Sequence, residues 1–418
     1  MRQIRPLTEE EHLPFARIVY NAYPAFPVHT EDELRQAADR WLAEAAADPT
    51  TLIYGAFDDG VLTGGMRLFD FIMNTFGAQV PTGGLALVAV DLLHKKEHIA
   101  KDIVTFYLDH YHTRGYPFAA LYPFRPDFYR QMGFGYGTKM SEYRLRPADL
   151  PAGDKRGVAF LTNTDIPAVL DCYDRYQQHT HGMMRRAESD FTRRFSNAEN
   201  RAVGCWRDGQ LDGYLVFTFK PGNPDNFLSN DIYVAELVYT SRDALAALFA
   251  FLRSQADQIS YVVLRSQDEH FHYLFPDPRN NSGEIIRAGT FAHITNTAGV
   301  GLMYRVLDTP AAFRALADHD FGGQTLRLKL TIADSFFPSN DGSLIIAFDR
   351  GHAKLTDAAA HDAEIRLDVA AFSSLLLGVV PFKTLHTYGL AEISDPSHLA
   401  TVNRIFLTDE PPMCLTAF

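Results

Sequence analysis

The chain has 418 residues, 46% of them hydrophobic, enough to bury a large core and to divide into two or three domains. Its 39 lysines and arginines against 51 aspartates and glutamates leave a net charge of −12, which argues against nucleic acid as a partner and suits a cationic amine wherever acids line a cleft. Three cysteines without C-x-x-C spacing (Cys172, Cys205, Cys414), no signal-peptide core after Arg2 and no run of about eighteen apolar residues set the expectation of a cytoplasmic protein with no disulfide frame, structural zinc or membrane span.

Thr8-Glu-Glu-Glu11 has the spacing of a capping box, and Leu13, Phe15, Ile18 and Val19 follow on one side, so a helix is predicted from about residue 9. Thr30-Glu-Asp-Glu33 repeats the signal ahead of a second helix over 34–47. Between them lies the aromatic, proline-rich linker Tyr23-Pro-Ala-Phe-Pro27. Residues 51–57 and 61–72 read as strands joined by the hairpin turn Asp58-Asp-Gly60.

Leu85-Ala-Leu-Val-Ala-Val90 is a short apolar run with strand-forming valines. Lys95 and Lys96 come next, and from Ile99 a helical pattern places Ile103, Phe106, Tyr107 and Leu108 on or near one face. A strand therefore runs into a helix whose first turn is predicted to be basic. Cations are disfavoured at the positive end of a helix dipole, so a negative group is expected to compensate, and open first-turn amides backed by lysines suit a pyrophosphate. A solvated basic start is the plain alternative.

Residues 117–122 read as a second buried strand, 127–132 as a short helix capped by Gly133, and 139–146 as a further strand of the same mixed sheet, which closes near residue 150 at a proline- and glycine-bearing linker. Residues 202–217, 232–238, 241–258 and 261–264 then look like a worn second copy of strand, Asp-Gly turn, strand, central strand, helix and strand. That copy enters its helix through Tyr239-Thr-Ser-Arg-Asp-Ala244, with neither a basic pair nor a glycine. From Val300 the pattern changes: a strand into a helix over 303–313, strands at 324–333, 342–348 and 365–369, a helix over 371–377, and an apolar tail ending at Phe418.

Phe128-Tyr-Arg-Gln-Met-Gly-Phe134 matches the FY-x-x-x-GF segment of the GNAT acyltransferases, and Lys95-Lys-Glu-His-Ile-Ala100 resembles their R/Q-x-x-G-x-A/G pyrophosphate loop, with His98 at the usual glycine. The complete layout resembles the Eis group of that superfamily, on Val88-Ala-Val90 with His94-Lys-Lys96, Gly115 to Leu121, Gly133-Phe-Gly-Tyr-Gly137 and Arg305-Val-Leu-Asp308. The resemblance implies an α/β, mixed α+β, fold: a catalytic GNAT domain over 1–150, a degenerate GNAT-like domain over 151–297 and an α+β domain like sterol carrier protein 2 over 298–418.

By position, the resemblance implies that Leu87, Val88 and Val90 offer backbone groups to the pantetheine of acetyl-CoA, and that Lys95, Lys96, His98, Ile99 and Ala100 surround its pyrophosphate. Tyr129 becomes the general acid and the terminal carboxylate of Phe418 the base, while Phe26 and Trp41 border the acceptor. The reaction implied is acetyl transfer to a primary amine of a cationic small molecule, of aminoglycoside or polyamine type, or to an exposed lysine, by a homo-oligomer such as a hexamer. A non-catalytic acyl-CoA or lipid-binding protein is the competing reading. The H-x-H pairs at 110/112, 179/181 and 270/272 have no completing ligands, so no metal is expected.

Overall fold

A computed structural model describes residues 2–26, 28–223, 225–226 and 228–418. Pro27, the last residue of the aromatic linker, is outside them. The described residues form two compact units: residues up to Gly137 with Leu302–Pro412 and Ala417–Phe418, and Thr138–Gly301 with Met413–Thr416. Among them no helix is long and apolar enough to cross a membrane.

The first unit begins with β1 (Gln3–Pro6), α1 (His12–Ala22), α2 (Glu31–Ala47), β2 (Thr51–Asp58), β3 (Val61–Thr75), β4 (Ala78–Val90), α3 (Ile99–Thr113), β5 (Phe118–Leu121), α4 (Pro126–Gln131) and β6 (Gly135–Tyr136). Both capping boxes form. Glu11 accepts the Thr8 N–H at 2.9 Å in a short 3₁₀ turn ahead of α1, and Thr30 and Glu33 exchange bonds of 3.2 and 3.0 Å at the start of α2. The β2–β3 turn needs two left-handed residues in succession, which Asp59 (φ 49) and Gly60 (φ 85) supply. The strand expected at 85–90 starts earlier, at Ala78, because β3 and β4 make one long hairpin around Phe76-Gly77.

The second unit contains β7 (Met140–Leu145), β8 (Val158–Phe160), α5 (Ile166–His179), α6 (Glu188–Phe195), β9 (Arg201–Arg207), β10 (Gln210–Pro221), β11 (Asn230–Tyr239), α7 (Arg242–Arg253), β12 (Ile259–Ser266), a small hairpin of β13 (Ile285–Arg287) and β14 (Ala292–His293), and β15 (Thr297–Gly299). Its seven-stranded sheet runs β15-β7-β12-β11-β10-β9-β8. The strand expected at 139–146 in the first sheet is therefore β7 of the second, where Tyr143 and Leu145 are buried and Tyr143 meets Phe271 and Phe275. Alternation marks a half-buried strand but carries no label for the sheet that receives it.

The remainder of the first unit is β16 (Met303–Val306), α8 (Thr309–Ala315), β17 (Leu326–Ala333), β18 (Gly342–Asp349), β19 (His352–Thr356), β20 (Ala363–Asp368), α9 (Val369–Leu376), α10 (Phe382–Thr387), β21 (Ala391–Ile393) and α11 (Leu399–Ile405). Five of these strands form a sheet in the order β19-β18-β17-β20-β21. The sixth, β16, departs from expectation: it lies between β5 and β6 in the first sheet, whose order is β1-β2-β3-β4-β5-β16-β6, so a strand read as part of the third domain completes the first.

β16 carries a fully buried arginine into that sheet. Arg305 donates from Nη2 to both oxygens of Asp334 at 2.8 Å, both side chains being 0% exposed, and from Nη1 to the Gly133 carbonyl at 3.3 Å. Gly133 is left-handed (φ 85), and a Cβ there would meet Arg305 Nη1 at 2.1 Å. Asp334→Ala leaves that guanidinium buried without its counter-charge and is expected to cost about 3–5 kcal/mol of stability, read as a lowered urea midpoint; an unchanged midpoint refutes the account.

Candidate active site

β4 and β5 are parallel neighbours, paired from Thr82 with Phe118 to Leu85 with Leu121. The pairing stops there because β5 ends at Leu121, while β4 runs on to Val90. On its other edge β4 shifts register against β3: Ala89 faces Gly65 and Ala86 faces Arg67, which sets Leu87 and Val88 together across from Met66. That is a β-bulge, with Leu87 at φ 49. Beyond Leu85, then, the backbone of β4 has no β5 partner.

Among the expected site residues, Val88 and Val90 are 7% and 8% exposed, so their side chains pack the core and only their backbones face outward chemistry. The Val88 carbonyl accepts a hydrogen bond from the Tyr23 hydroxyl at 2.7 Å. Leu87 packs against the core cluster that contains Phe15 and Ile18.

The loop after β4 contains Lys95, Lys96 and His98, all exposed, ahead of α3. The helix proper starts at Ile99, so Lys95 and Lys96 belong to the loop before it, and its first turn carries Lys101 beside Asp102. His98 and Lys96 take φ values of 62 and 68, the left-handed conformation for which glycine is best suited. The first bond of α3 runs from the Asp102 N–H to the His98 carbonyl at 3.0 Å, and His98 makes no side-chain cap, so the amides of Ile99, Ala100 and Lys101 have no acceptor within the helix. Ile99 itself is buried against Ile103 and Ala100 is half-buried. In the second unit the corresponding start is closed, since the Ser241 hydroxyl accepts the Ala244 N–H at 3.2 Å.

Tyr129 lies on α4, directly after β5, at the same edge of the sheet as this loop. It is 2% exposed, and its ring meets Phe124 at 5.6 Å, Phe128 at 5.1 Å and Phe134 at 5.9 Å. Burial, with a smaller contribution from the Tyr23 phenol, pushes its hydroxyl well above the ordinary tyrosine range, so it stays protonated. Phe418 sits on the same unit, its ring 5.6 Å from Phe69, 4.8 Å from Phe71 and 5.3 Å from Tyr122, the residue that follows β5. Tyr122 and Phe124 flank Pro123, so one short segment touches both Phe418 and Tyr129. Phe26 is 39% exposed and meets Tyr23 at 5.7 Å, whereas Trp41 lies flat on Tyr20 at 5.7 Å and packs against Phe15. Tyr23, Phe69, Phe71, Tyr122 and Phe124 were not singled out from the sequence; the period-2 placement of Phe69 and Phe71 and the Tyr-Pro-Phe immediately after a buried strand were the available signals. Among the described residues no group of three or more histidine, cysteine, aspartate or glutamate side chains is placed to hold a metal ion.

A central strand that is bulged and outruns its parallel neighbour, an uncapped helix start and a buried protonated phenol agree with what comparison with known proteins finds. Residues 3–137 and 182–306 each match an acetyltransferase (GNAT) domain, and residues 312–415 match a sterol carrier protein domain. The chain belongs to the GNAT N-acetyltransferases, in their Eis arrangement. It is 24% identical to the N-acetyltransferase Eis of Mycobacterium tuberculosis over 391 residues, covering 90% of this chain and 91% of that one. Its fold is also that of the crystal structures of a GCN5-related N-acetyltransferase from Anabaena variabilis (TM-score 0.83, 16% identity) and of Eis1 from Mycobacterium abscessus (TM-score 0.78, 22% identity), each covering 100% of both chains. The family decides between the enzyme and the binding-protein readings in favour of the enzyme.

The raised Tyr129 pKa has a spectroscopic consequence. Between roughly pH 9 and 11, where exposed tyrosines ionise, wild type and Tyr129→Phe are expected to gain the same phenolate absorbance, because the residue removed does not titrate there. A difference of one phenolate contradicts the assignment.

Proposed function

We propose that the protein transfers the acetyl group of acetyl-CoA to a primary amine in its first GNAT domain. The observation that supports this reading is the end of the sheet where β4 outruns β5, followed on one chain segment by two lysines and uncapped α3 amides and on the other by Tyr129. The cradle suits a diphosphate: Lys95, Lys96, His98, Ile99 and Ala100 surround it, two of them already in the backbone conformation that lets amides converge on an anion, while Leu87, Val88 and Val90 flank the pantetheine. Acetyl-CoA supplies the activated acetyl thioester.

The rest is assigned to the chain's own groups. The carboxylate of Phe418 accepts the proton that the acceptor ammonium must lose before nitrogen can attack. Backbone N–H groups beside the bulge stabilise the oxygen that becomes negative when the carbon–nitrogen bond forms. As the carbon–sulfur bond breaks, Tyr129 gives its hydroxyl proton to sulfur, a role for which a phenol kept neutral by burial is suited. The second GNAT domain, its helix start occupied by Ser241, takes no coenzyme in this reading. Acceptors to be tried are aminoglycosides, polyamines and exposed lysines, and the assembly is a cytoplasmic homo-oligomer.

Tyr129→Phe is expected to lower kcat by about 10²–10⁴-fold with little change in KM for acetyl-CoA, measured as thiol release. Adding one glycine after Phe418, which displaces the carboxylate, is expected to lower kcat without weakening coenzyme binding in calorimetry. Full turnover in both variants refutes the assigned roles.

A further inference from the structure

The bulge in β4 has a support outside the sheet. Leu87 and Val88 together face Met66 of β3, outside the regular pairs on either side, and β5 has already ended at Leu121. The Val88 carbonyl is taken by a side chain instead, accepting the Tyr23 hydroxyl at 2.7 Å.

Tyr23 is held at three places. As the residue that ends α1, it donates its N–H to the Val19 carbonyl at 2.9 Å, and its own carbonyl accepts the Phe26 N–H at 3.1 Å. Its ring packs against the core cluster that contains Phe15 and Ala89. Its hydroxyl is the third hold. Burial raises the phenol above the ordinary tyrosine range, so it keeps its proton and goes on donating near neutral pH. The end of α1 is thereby tied to one peptide unit of β4.

That unit carries two opposed groups. A trans peptide is planar, so the Val88 carbonyl and the Ala89 N–H point in opposite directions and holding the first fixes the second. A loose carbonyl beside a thioester oxygen that is becoming negative would repel it, whereas N–H groups fixed in advance attract it. We propose that Tyr23 is a positioning residue for acetyl transfer: through the Val88 carbonyl it orients the bulge so that β4 presents N–H groups, and not that carbonyl, to the oxygen of the acetyl thioester. It acts through the strand and does not touch the reacting atoms. The inference rests on the reading that the N–H groups beside the bulge stabilise that oxygen.

The test compares full-length wild type with Tyr23→Phe, which loses the hydroxyl and keeps the ring. Thiol release from acetyl-CoA is followed with spermidine, kanamycin or a lysine-containing peptide, whichever the wild type uses fastest, and again with no amine, at high enzyme concentration. One lost hydrogen bond is expected to lower kcat by about two- to tenfold, while the acetyl-CoA dissociation constant in calorimetry stays in place. Amine-free hydrolysis passes through the same oxyanion and is expected to fall by the same factor. Transfer that falls with hydrolysis unchanged would put Tyr23 on the acceptor, and weaker acetyl-CoA binding with kcat unchanged would make it a support of the fold alone; either result overturns the inference. Wild-type rates in the variant overturn it too and leave the acetyltransferase reading standing. No thiol release by the wild type with any of the three amines, although acetyl-CoA binds, overturns both.

Discussion

The candidate site depends on a difference in strand length. β5 pairs with β4 over all four of its residues and ends at Leu121, opposite Leu85, whereas β4 continues to Val90, so the last five residues of β4 have no β5 partner for their backbone groups. That end of the sheet is held from both sides. On the β3 edge the bulge at Leu87–Val88 re-aims β4, and on the core side the buried Tyr107 hydroxyl donates to the Gly83 carbonyl at 2.7 Å and accepts the Ala120 N–H at 3.1 Å, fastening the two strands near the end of β5. Because the strands are parallel, the loop into α3 and the segment into α4 leave from the same end of the sheet.

The second unit repeats the strand arrangement with different polar groups beside it. β11 and β12 pair from Asn230–Ile259 to Tyr233–Val263, β11 continues to Tyr239, and a register shift lies between Val216 and Phe217 on its neighbour. Yet Glu236, beside that shift, is buried in an ion pair with Arg186 at 2.6 Å and accepts the Tyr214 hydroxyl at 2.7 Å. Arg186 also donates to the Thr416 hydroxyl at 3.1 Å, and Cys414 N–H to Gln267 at 2.6 Å, so residues 413–416 are fixed within this unit. In this unit the polar groups beside the register shift are satisfied by one another.

The sterol-carrier-like residues are joined to the first GNAT domain by polar contacts that tolerate little change. Besides the Arg305–Asp334 pair, the Ser373 hydroxyl accepts the Val306 N–H at 2.9 Å and Ser374 donates to the Tyr136 carbonyl at 2.8 Å, both from the fully buried α9. A Cβ on Gly135 would meet the Ala370 carbonyl at 2.2 Å. Through Gly133, the turn that ends the Tyr129 helix is braced by a strand some 170 residues later in the chain (|i−j| = 172 for the Arg305 bond).

By itself the sequence determined the local elements and the residue types at the site: the capped helices, the Asp-Gly turn, the valine-rich end of β4, the lysine pair and the Tyr129 segment. Each rests on interactions within a few residues, through caps, turns and side-chain periodicity, and is therefore written in adjacent letters. Tertiary structure alone decided which sheet receives each strand, so that the segment near 140 went to the second unit and the segment near 303 to the first. It also moved the lysines off the helix, put Tyr23 on the Val88 carbonyl, and gathered Phe69, Phe71, Tyr122 and Phe418 around one another. These outcomes turn on contacts between residues far apart in the chain, where period-2 alternation and aromatic content are the same whichever partner is chosen, and only packing of the whole core separates the alternatives.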